Sequence, residues 1–284
     1  MEKLVLACID GSSYSTAVGD AAAWAALRMN APLKFLHVLH KEKSSPPADL
    51  SGSIGLGARE SLLEELAALD EKRGKLAQEK GRQILAAIRE RARAAGISAP
   101  EGLHRHGGLV ETLIELEEGI RLLVLGKRGQ EAEVASEHLG SHLERVIRTL
   151  NRPILVTTAE FRIPQRVMLA FDGSATARKG LEMVAGSPLF KGLPCHLVMV
   201  GTDSAEAQTE LSRARQILEQ AGFDVPAVIL PGEAESVLGE YQQEHGIDLM
   251  IMGAYGHSRI RHLLIGSTTT TMLRKSTIPL LLLR

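Results

Sequence analysis

The chain has 284 residues, and its 33 lysines and arginines are set against 34 acids, for a formal net charge of −1. That balance gives a nucleic acid or an anionic membrane no bulk attraction, and 3% aromatic content supplies too few rings for base-stacking platforms. The length suits two ordinary domains with large cores, and no apolar run approaches the roughly 20 residues needed to span a bilayer, so a soluble cytoplasmic protein is expected.

The first element reads "LVLACIDGSSYSTA" (4–17): an apolar strand ending in Asp10-Gly11-Ser12, then a helical run in which Ser12 is placed to cap the helix. "VLAC" imitates a lipoprotein cleavage site. Only seven residues precede Cys8, too few for a charged start and an apolar stretch, so the segment is read as strand. Cys8 and Cys195, the two cysteines, both fall in strand-like runs, which suits buried thiols in a reducing compartment.

A long segment follows at 40–74, Ser/Pro/Gly-rich over 44–57 and therefore loop-like. From about Arg59, the spacing of Leu62, Leu66, Leu69, Leu76, Ile84 and Ile88 is helical and one-sided. It predicts a solvated helix pair packed on the sheet; the sharper alternative is a lid or partner-binding arm. His104 and His106 alternate on one strand face, and His138 and His142 are four apart. Either spacing suits metal ligands, but with ten histidines in the chain, packing or surface roles are expected. "GIRLLVLGKRG" (119–129), Gly140-Ser141 and the proline-led strand "RPILVTT" (152–158) complete the first half, and "AEFRIPQ" (159–165) is a short linker.

The same series then returns. "RVMLAFDGSATARK" (166–179) repeats the opening, with Asp172 in the place of Asp10 and Ser174 as a helix cap. "GIDLMIMGAYG" (246–256), Gly266-Ser267 and "IPLLLLR" (278–284) repeat the rest. Two copies of one domain, 1–158 and 163–284, are the economical reading. In the second copy, strands are predicted at 166–171, 195–200, 225–230, 248–252 and 279–283, with helices near 174–186, 204–221, 233–245 and 266–275. Near-continuous apolar strands alternating with helices imply an α/β fold with two tandem open parallel sheets, covered by helices on both faces. Such sheets bind ligands at the carboxyl ends of their strands.

The stretch "GAYGHSRIRHLLIGSTTTT" (253–271) carries the chemistry. Gly253 and Gly256 let a bulky anion approach the main chain, and Gly266-Ser267 opens a helix whose first N–H groups lack partners. Ser267, Thr268 and Thr269 add hydroxyls. Asp172, at the same sheet edge, can accept bonds from ribose hydroxyls or hold a metal ion beside phosphates, and backbone near Val200 can serve adenine. His257 and His262 flank this site; His257 can reach a phosphate, with a solvent-exposed place on a helix as the alternative. There is no Gly-x-Ser-x-Gly elbow, so nucleophilic hydrolase chemistry lacks support.

Taken together, "GAYGHSRIRHLLIGST", "AFDGS" and "ACIDGS" resemble the nucleotide motif and first-strand aspartate of the universal stress protein family, over both halves of the chain. The resemblance implies five-stranded parallel sheets of order 3-2-1-4-5 that bind ATP or a related adenine nucleotide (ADP or AMP), with Mg²⁺ as a candidate companion and the metal ligands unassigned. Members dimerise through the last strand, which implies that the two copies make this pairing within one chain, with a homodimer of the chain as a further form. Carried over, the binding residues are Asp172, Val200, Met252, Gly253, Gly256, Gly266, Ser267, Thr268 and Thr269, and no catalytic residue is assigned.

The first copy departs from the pattern. Ten residues separate Gly129 from Gly140, against nine in the second copy, and they include Glu131, Glu133 and Glu137; His142, Leu143 and Glu144 replace the hydroxyl row. Acids near an anion site weaken it, so this site is expected to be degenerate, with Lys127 and Arg128 as partial compensation. The leading expectation is a nucleotide-responsive regulatory protein with an unknown protein partner. A slow ATP hydrolase, or a scaffold that takes an apolar ligand or protein on the first copy, are the alternatives.

Overall fold

The computed structural model describes residues 3–39, 56–129, 141–254 and 267–284. Its first half runs β1 (Leu4–Cys8), α1 (Ser15–Met29), β2 (Leu33–Leu39), α2 (Leu56–Ala94), β3 (Glu101–His106), α3 (Leu109–Leu116), β4 (Ile120–Gly126), α4 (Ser141–Thr149) and β5 (Ile154–Thr157). The second half runs β6 (Val167–Ala170), α5 (Ala175–Gly186), β7 (Cys195–Val200), α6 (Ala205–Gln220), β8 (Ala227–Leu230), α7 (Ala234–Glu244), β9 (Leu249–Gly253), α8 (Ser267–Lys275) and β10 (Leu280–Leu283). Each predicted element of the second half is present within about two residues, the scatter expected at element ends.

The ten strands form one sheet in the order β3-β2-β1-β4-β5-β10-β9-β6-β7-β8. Each half is parallel and reads 3-2-1-4-5 from its outer edge inward. The halves join by the antiparallel pair β5–β10, in register Leu280↔Val156, Leu281↔Leu155 and Leu282↔Ile154. Each last strand thereby covers the edge that the other would leave open.

Alternation along the strands divides the core in two. Val5, Ala7, Val167, Leu169, Leu281 and Leu283 face one side, where α1, α2, α5 and α6 pack. Leu6, Met168, Leu280 and Leu282 face the other, under α3, α4, α7 and α8. Both layers run unbroken across the β5–β10 seam. Side chains reinforce it: Trp24 on α1 packs against Phe161 of the linker and Phe190 of the second half, at ring separations of 5.7 and 6.5 Å.

Two expectations need correction. Residues 59–94 form part of a single 39-residue helix rather than a pair. Gly74 does not break it, since no proline intervenes and pairs such as Glu71–Lys75 at 2.6 Å support the turns around it. Ser12 does not cap α1. The helix starts at Ser15, with Tyr14 at its N-cap and no side-chain cap, because residues 12–15 form an extra turn closed by the Ser15 N–H on the Ser12 carbonyl at 3.0 Å. Ser174 does cap α5, accepting from the Ala177 N–H at 3.1 Å. Among the described residues, no helix is long and apolar enough to cross a membrane.

Leu281 lies between β5 and β9 and is 3% exposed. Leu281→Pro removes a central ladder donor and a buried side chain, and should cost roughly 2–5 kcal/mol from the side chain alone. The check is a urea titration by circular dichroism; a parent-like midpoint would mean that the seam is not a source of stability.

Candidate functional site

The parallel registers bring the second copy's sequence-predicted residues to one edge. β6 pairs β7 through Ala170↔Val198, so Asp172, two residues on, stands level with Val200. β6 pairs β9 through Leu169↔Ile251, which puts Phe171 level with Gly253. Asp172 is exposed, and its Oδ1 accepts from the Ser174 N–H at 2.9 Å, which holds the carboxylate at the turn into α5. Gly173 adopts φ +69°, a region open to glycine, and gives that turn its shape. Val200 and Gly253 are half-buried. Met252 is 6% exposed and packs in the core face that Val200 also adjoins, so it supports the site from below.

α8 begins at Ser267 beside this edge, and Thr268 is half-buried. Thr269 is 2% exposed, and its hydroxyl donates to the carbonyl of Ala254 at 3.2 Å, with Gly253 O at 3.4 Å. The Ala254 N–H in turn donates to Leu283 O at 2.9 Å. Thr269 therefore pins the last helix to the end of β9. The sequence reading of Thr269 as one more ligand hydroxyl missed this anchoring. Gly256, His257, Gly266 and His262 lie outside the described residues.

In the first copy the equivalent aspartate has close protein neighbours. Asp10 Oδ1 accepts from the Ser12 N–H at 3.0 Å and from the Ser15 hydroxyl at 3.3 Å. A β-carbon built at Gly129 would come within 2.8 Å of Asp10 Oδ2, so the glycine backbone lies directly on the carboxylate. Lys127 reaches into the other copy. Its Nζ donates to the carbonyls of Arg274 at 2.6 Å and Ser276 at 3.0 Å, at the carboxyl end of α8 in the other copy. Burial and the charge of Arg128 lower its pKa, while the helix-end carbonyls favour a cation there. Arg284 does the converse, donating to Ile147 O and, at 3.2 Å, to Arg148 O near the end of α4. Nothing in the sequence flagged either contact, because both depend on the strand seam. Glu131, Glu133, Glu137, His138 and Gly140 lie outside the described residues.

Comparison with known proteins decides the family. The universal stress protein family profile matches residues 1–158 and again 164–284. The chain belongs to the universal stress protein family. It is 41% identical to a universal stress protein from Synechocystis sp. over 286 aligned positions, covering 99% of this chain and 100% of the relative. A crystal structure of a universal stress protein from Archaeoglobus fulgidus superposes with a TM-score of 0.73 at 20% identity, over 99% of this chain and 98% of the other. A universal stress protein structure from Pseudomonas aeruginosa gives 0.60 at 17%, over 99% and 93%. At such identities these structures support the fold alone.

Within this tandem universal stress protein three histidines of the first copy, His37, His104 and His106, form a packed row. His37 and His104 stand opposite each other on β2 and β3, with ring centroids 5.2 Å apart, and His104 stacks on His106 at 5.7 Å. His37 Nδ1 lies 2.6 Å from Ile9 O, and Gly81 of α2 presses on both rings: a β-carbon there would fall 2.7 Å from His37 and 2.8 Å from His104 Nε2. Among the described residues no group of three or more His, Cys, Asp or Glu is arranged to hold a metal.

The Thr269 anchor gives one expectation. Thr269→Val leaves a buried carbonyl without its donor and should cost about 1–2 kcal/mol in urea unfolding, whereas Thr269→Ser should stay near the parent. Equal losses in both variants would mean that the methyl group, not the hydroxyl, matters.

The histidine row gives another. Burial first, then His37, His106 and Arg82, lower the pKa of His104 below its ordinary 6.5. The unfolded chain then binds that proton more tightly than the folded one. This contribution to stability is level above about pH 6.5 and is lost as the pH falls through the lowered value. His196, lowered chiefly by burial, acts in the same direction. The urea midpoint should fall between about pH 7.5 and 5.5, and less steeply in His104→Gln. An unchanged slope in the variant would remove His104 from the effect.

Proposed function

We propose that this protein is a nucleotide-responsive regulator in a stress response, and that the second copy binds an adenine nucleotide, ATP first among ATP, ADP and AMP. The observation that carries this reading is the convergence of Asp172, the end of β7 at Val200, and Gly253 on one sheet edge beside the start of α8. The sequence continues from that edge into Gly256, His257 and Gly266, with the spacing that suits a phosphate loop.

In this reading, Asp172 accepts from the ribose hydroxyls, backbone around Val200 meets the adenine edge, and the glycine backbone with Ser267 and Thr268 takes the phosphates. The first N–H groups of α8 and its dipole favour an anion there. Mg²⁺ fits as a companion of the phosphates, since exposed Asp172 offers the hard oxygen donors it prefers. The first copy is the weaker site, because its sequence carries Glu131, Glu133 and Glu137 in the glycine loop and lacks the hydroxyl row. The protein works in a reducing, cytoplasmic setting: both cysteines are free thiols, and burial pushes Cys195 up to about 12. Binding that shifts shape or partners, rather than turnover, is the function.

The test is calorimetric titration of the full chain with ATP, ADP and AMP, alongside mass spectrometry of any nucleotide released on denaturation. Gly256→Val crowds the phosphates. Loss of even one charge-assisted phosphate bond costs about 1.5–3 kcal/mol, one to two decades of affinity. Gly129→Val should leave nucleotide affinity near the parent value. Unchanged affinity in a folded Gly256→Val protein, or a loss confined to Gly129→Val, would overturn the assignment.

A further inference from the structure

The sheet ends in an open strand on the side of the second copy. β8 has β7 on one flank, and among the described residues no strand lies beyond it. The Leu197 N–H donates to Pro226 O at 2.8 Å and the Gly201 N–H to Leu230 O at 2.9 Å, so alternation along a parallel ladder turns Val228 toward β7 as well. The N–H and C=O groups of Ala227 and Ile229 therefore point out from the edge. The opposite edge strand, β3, carries Glu101 and Arg105, charges that discourage pairing, whereas β8 reads Ala-Val-Ile-Leu and holds none. Exposed Pro226 and Pro231 bound β8 and confine any pairing to this stretch.

One face of β8 is also left open. α6 packs on the side of Ala227 and Ile229, while α7 packs on β7 and α8 and leaves Val228 and Leu230 half-buried. A groove of about 590 Å³ runs between α7 and the strand, with Val228, Leu230, Val237 and Tyr241 along it. Its wall is fixed in place: the Tyr241 hydroxyl lies 2.9 Å from His196 Nδ1, and the His245 ring stacks on Tyr241 at 3.9 Å. Glu240 and Glu244, one turn apart on α7, line the same groove. Both are exposed, and among the described residues neither pairs with a base and no lysine or arginine lines the groove.

We infer that the β8 edge and this groove receive an extended segment of a partner protein in which basic and apolar residues alternate. Such a segment adds a strand about 4.8 Å beyond β8, with the outward groups of Ala227 and Ile229 as its ladder partners. Every second side chain then stands on the α7 side. A lysine or arginine there lays its methylene stem along Val228 and Leu230 and brings its charge to Glu240 and Glu244. The side chains between stand beside Ala227 and Ile229, where apolar residues fit. A second copy of the chain is the poorer occupant. Antiparallel pairing of two β8 edges about a two-fold axis puts both α7 helices on one face and sets acidic groove beside acidic groove.

The test is fluorescence anisotropy, without nucleotide, of a labelled peptide of about eight residues, alternating lysine and valine, titrated with the full chain. A dissociation constant of about 1–100 µM is expected, rising with salt. The same peptide with glutamate for lysine should bind at least about tenfold more weakly. Glu240→Lys with Glu244→Lys should reverse that order, and both side chains are exposed, so folding should stay intact. Ile229→Pro removes an outward donor and no bond to β7, and should weaken the lysine peptide at least about tenfold. Circular dichroism checks both variants. A lysine–valine peptide methylated at every backbone nitrogen cannot pair with the edge and should not bind, an arm that needs no change in the protein. No binding up to about 1 mM, equal affinity for the two charge types, indifference to the glutamate reversal, or retained binding of the methylated peptide would overturn the inference. So would a dimer of the chain, seen in sedimentation velocity, that Ile229→Pro dissolves.

Discussion

The antiparallel contact between β5 and β10 is the constraint on which the rest of the structure depends. Leu155 and Leu281 stand at equivalent places in the two copies, each two residues after its proline, and they pair with each other. A local two-fold axis therefore passes through the middle of the seam, and the interface has the self-complementary form of a dimer built inside one chain. Closing it joins two five-stranded sheets into one and extends both core layers without a break. It also sets Lys127 against the end of α8 and Arg284 against the end of α4. These two contacts serve the same purpose from non-equivalent positions. Each puts a cation on helix-end carbonyls that the helix itself leaves unmatched.

Duplication within one chain frees the copies to diverge, and the divergence is physical. The second copy keeps a short connection after β7, and its strand-end edge presents Asp172 and Gly253. The first has Asp10 bonded to Ser12 and Ser15 with glycine backbone upon it, and it carries a helix far longer than the sheet needs. A side-by-side homodimer would have to carry both features twice. Here the two strand-end edges differ within one chain.

Much of this was legible in the sequence because it depends on local periodicity. Strands such as "LMIM" and "LLLL" are apolar on both faces, as a doubly covered parallel sheet requires, and the helices between them are bounded by residues such as Ser174 and Ser204 that cap them. The misreadings share a cause: the deciding partner is distant in sequence or absent from the periodic pattern. Residues from about Arg59 read as a helix pair, yet one unbroken helix runs on to Ala94. Ser12 reads as a cap, but the Ser15 N–H closes an extra turn on the Ser12 carbonyl, and the helix starts three residues later. Lys127 reads as a phosphate-side cation, yet its acceptors are 147 and 149 residues away.

The hydroxyl row of the last helix shows how anchoring and ligation divide among neighbours. Thr269 turns inward and holds α8 to the end of β9, so the first turn of the helix is fixed relative to that strand end. α8 is only nine residues long, about 13 Å from end to end. Its start frames the candidate phosphate site, and its far end is held by Lys127, two residues before the Gly129 that lies on Asp10. A displacement of α8 along its axis must therefore strain the Thr269 bond, the Lys127 contacts, or both. The strand-end loops of the two copies are thus connected through one short rigid element rather than through the sheet. That link between the two strand-end edges runs through hydrogen bonds already in place.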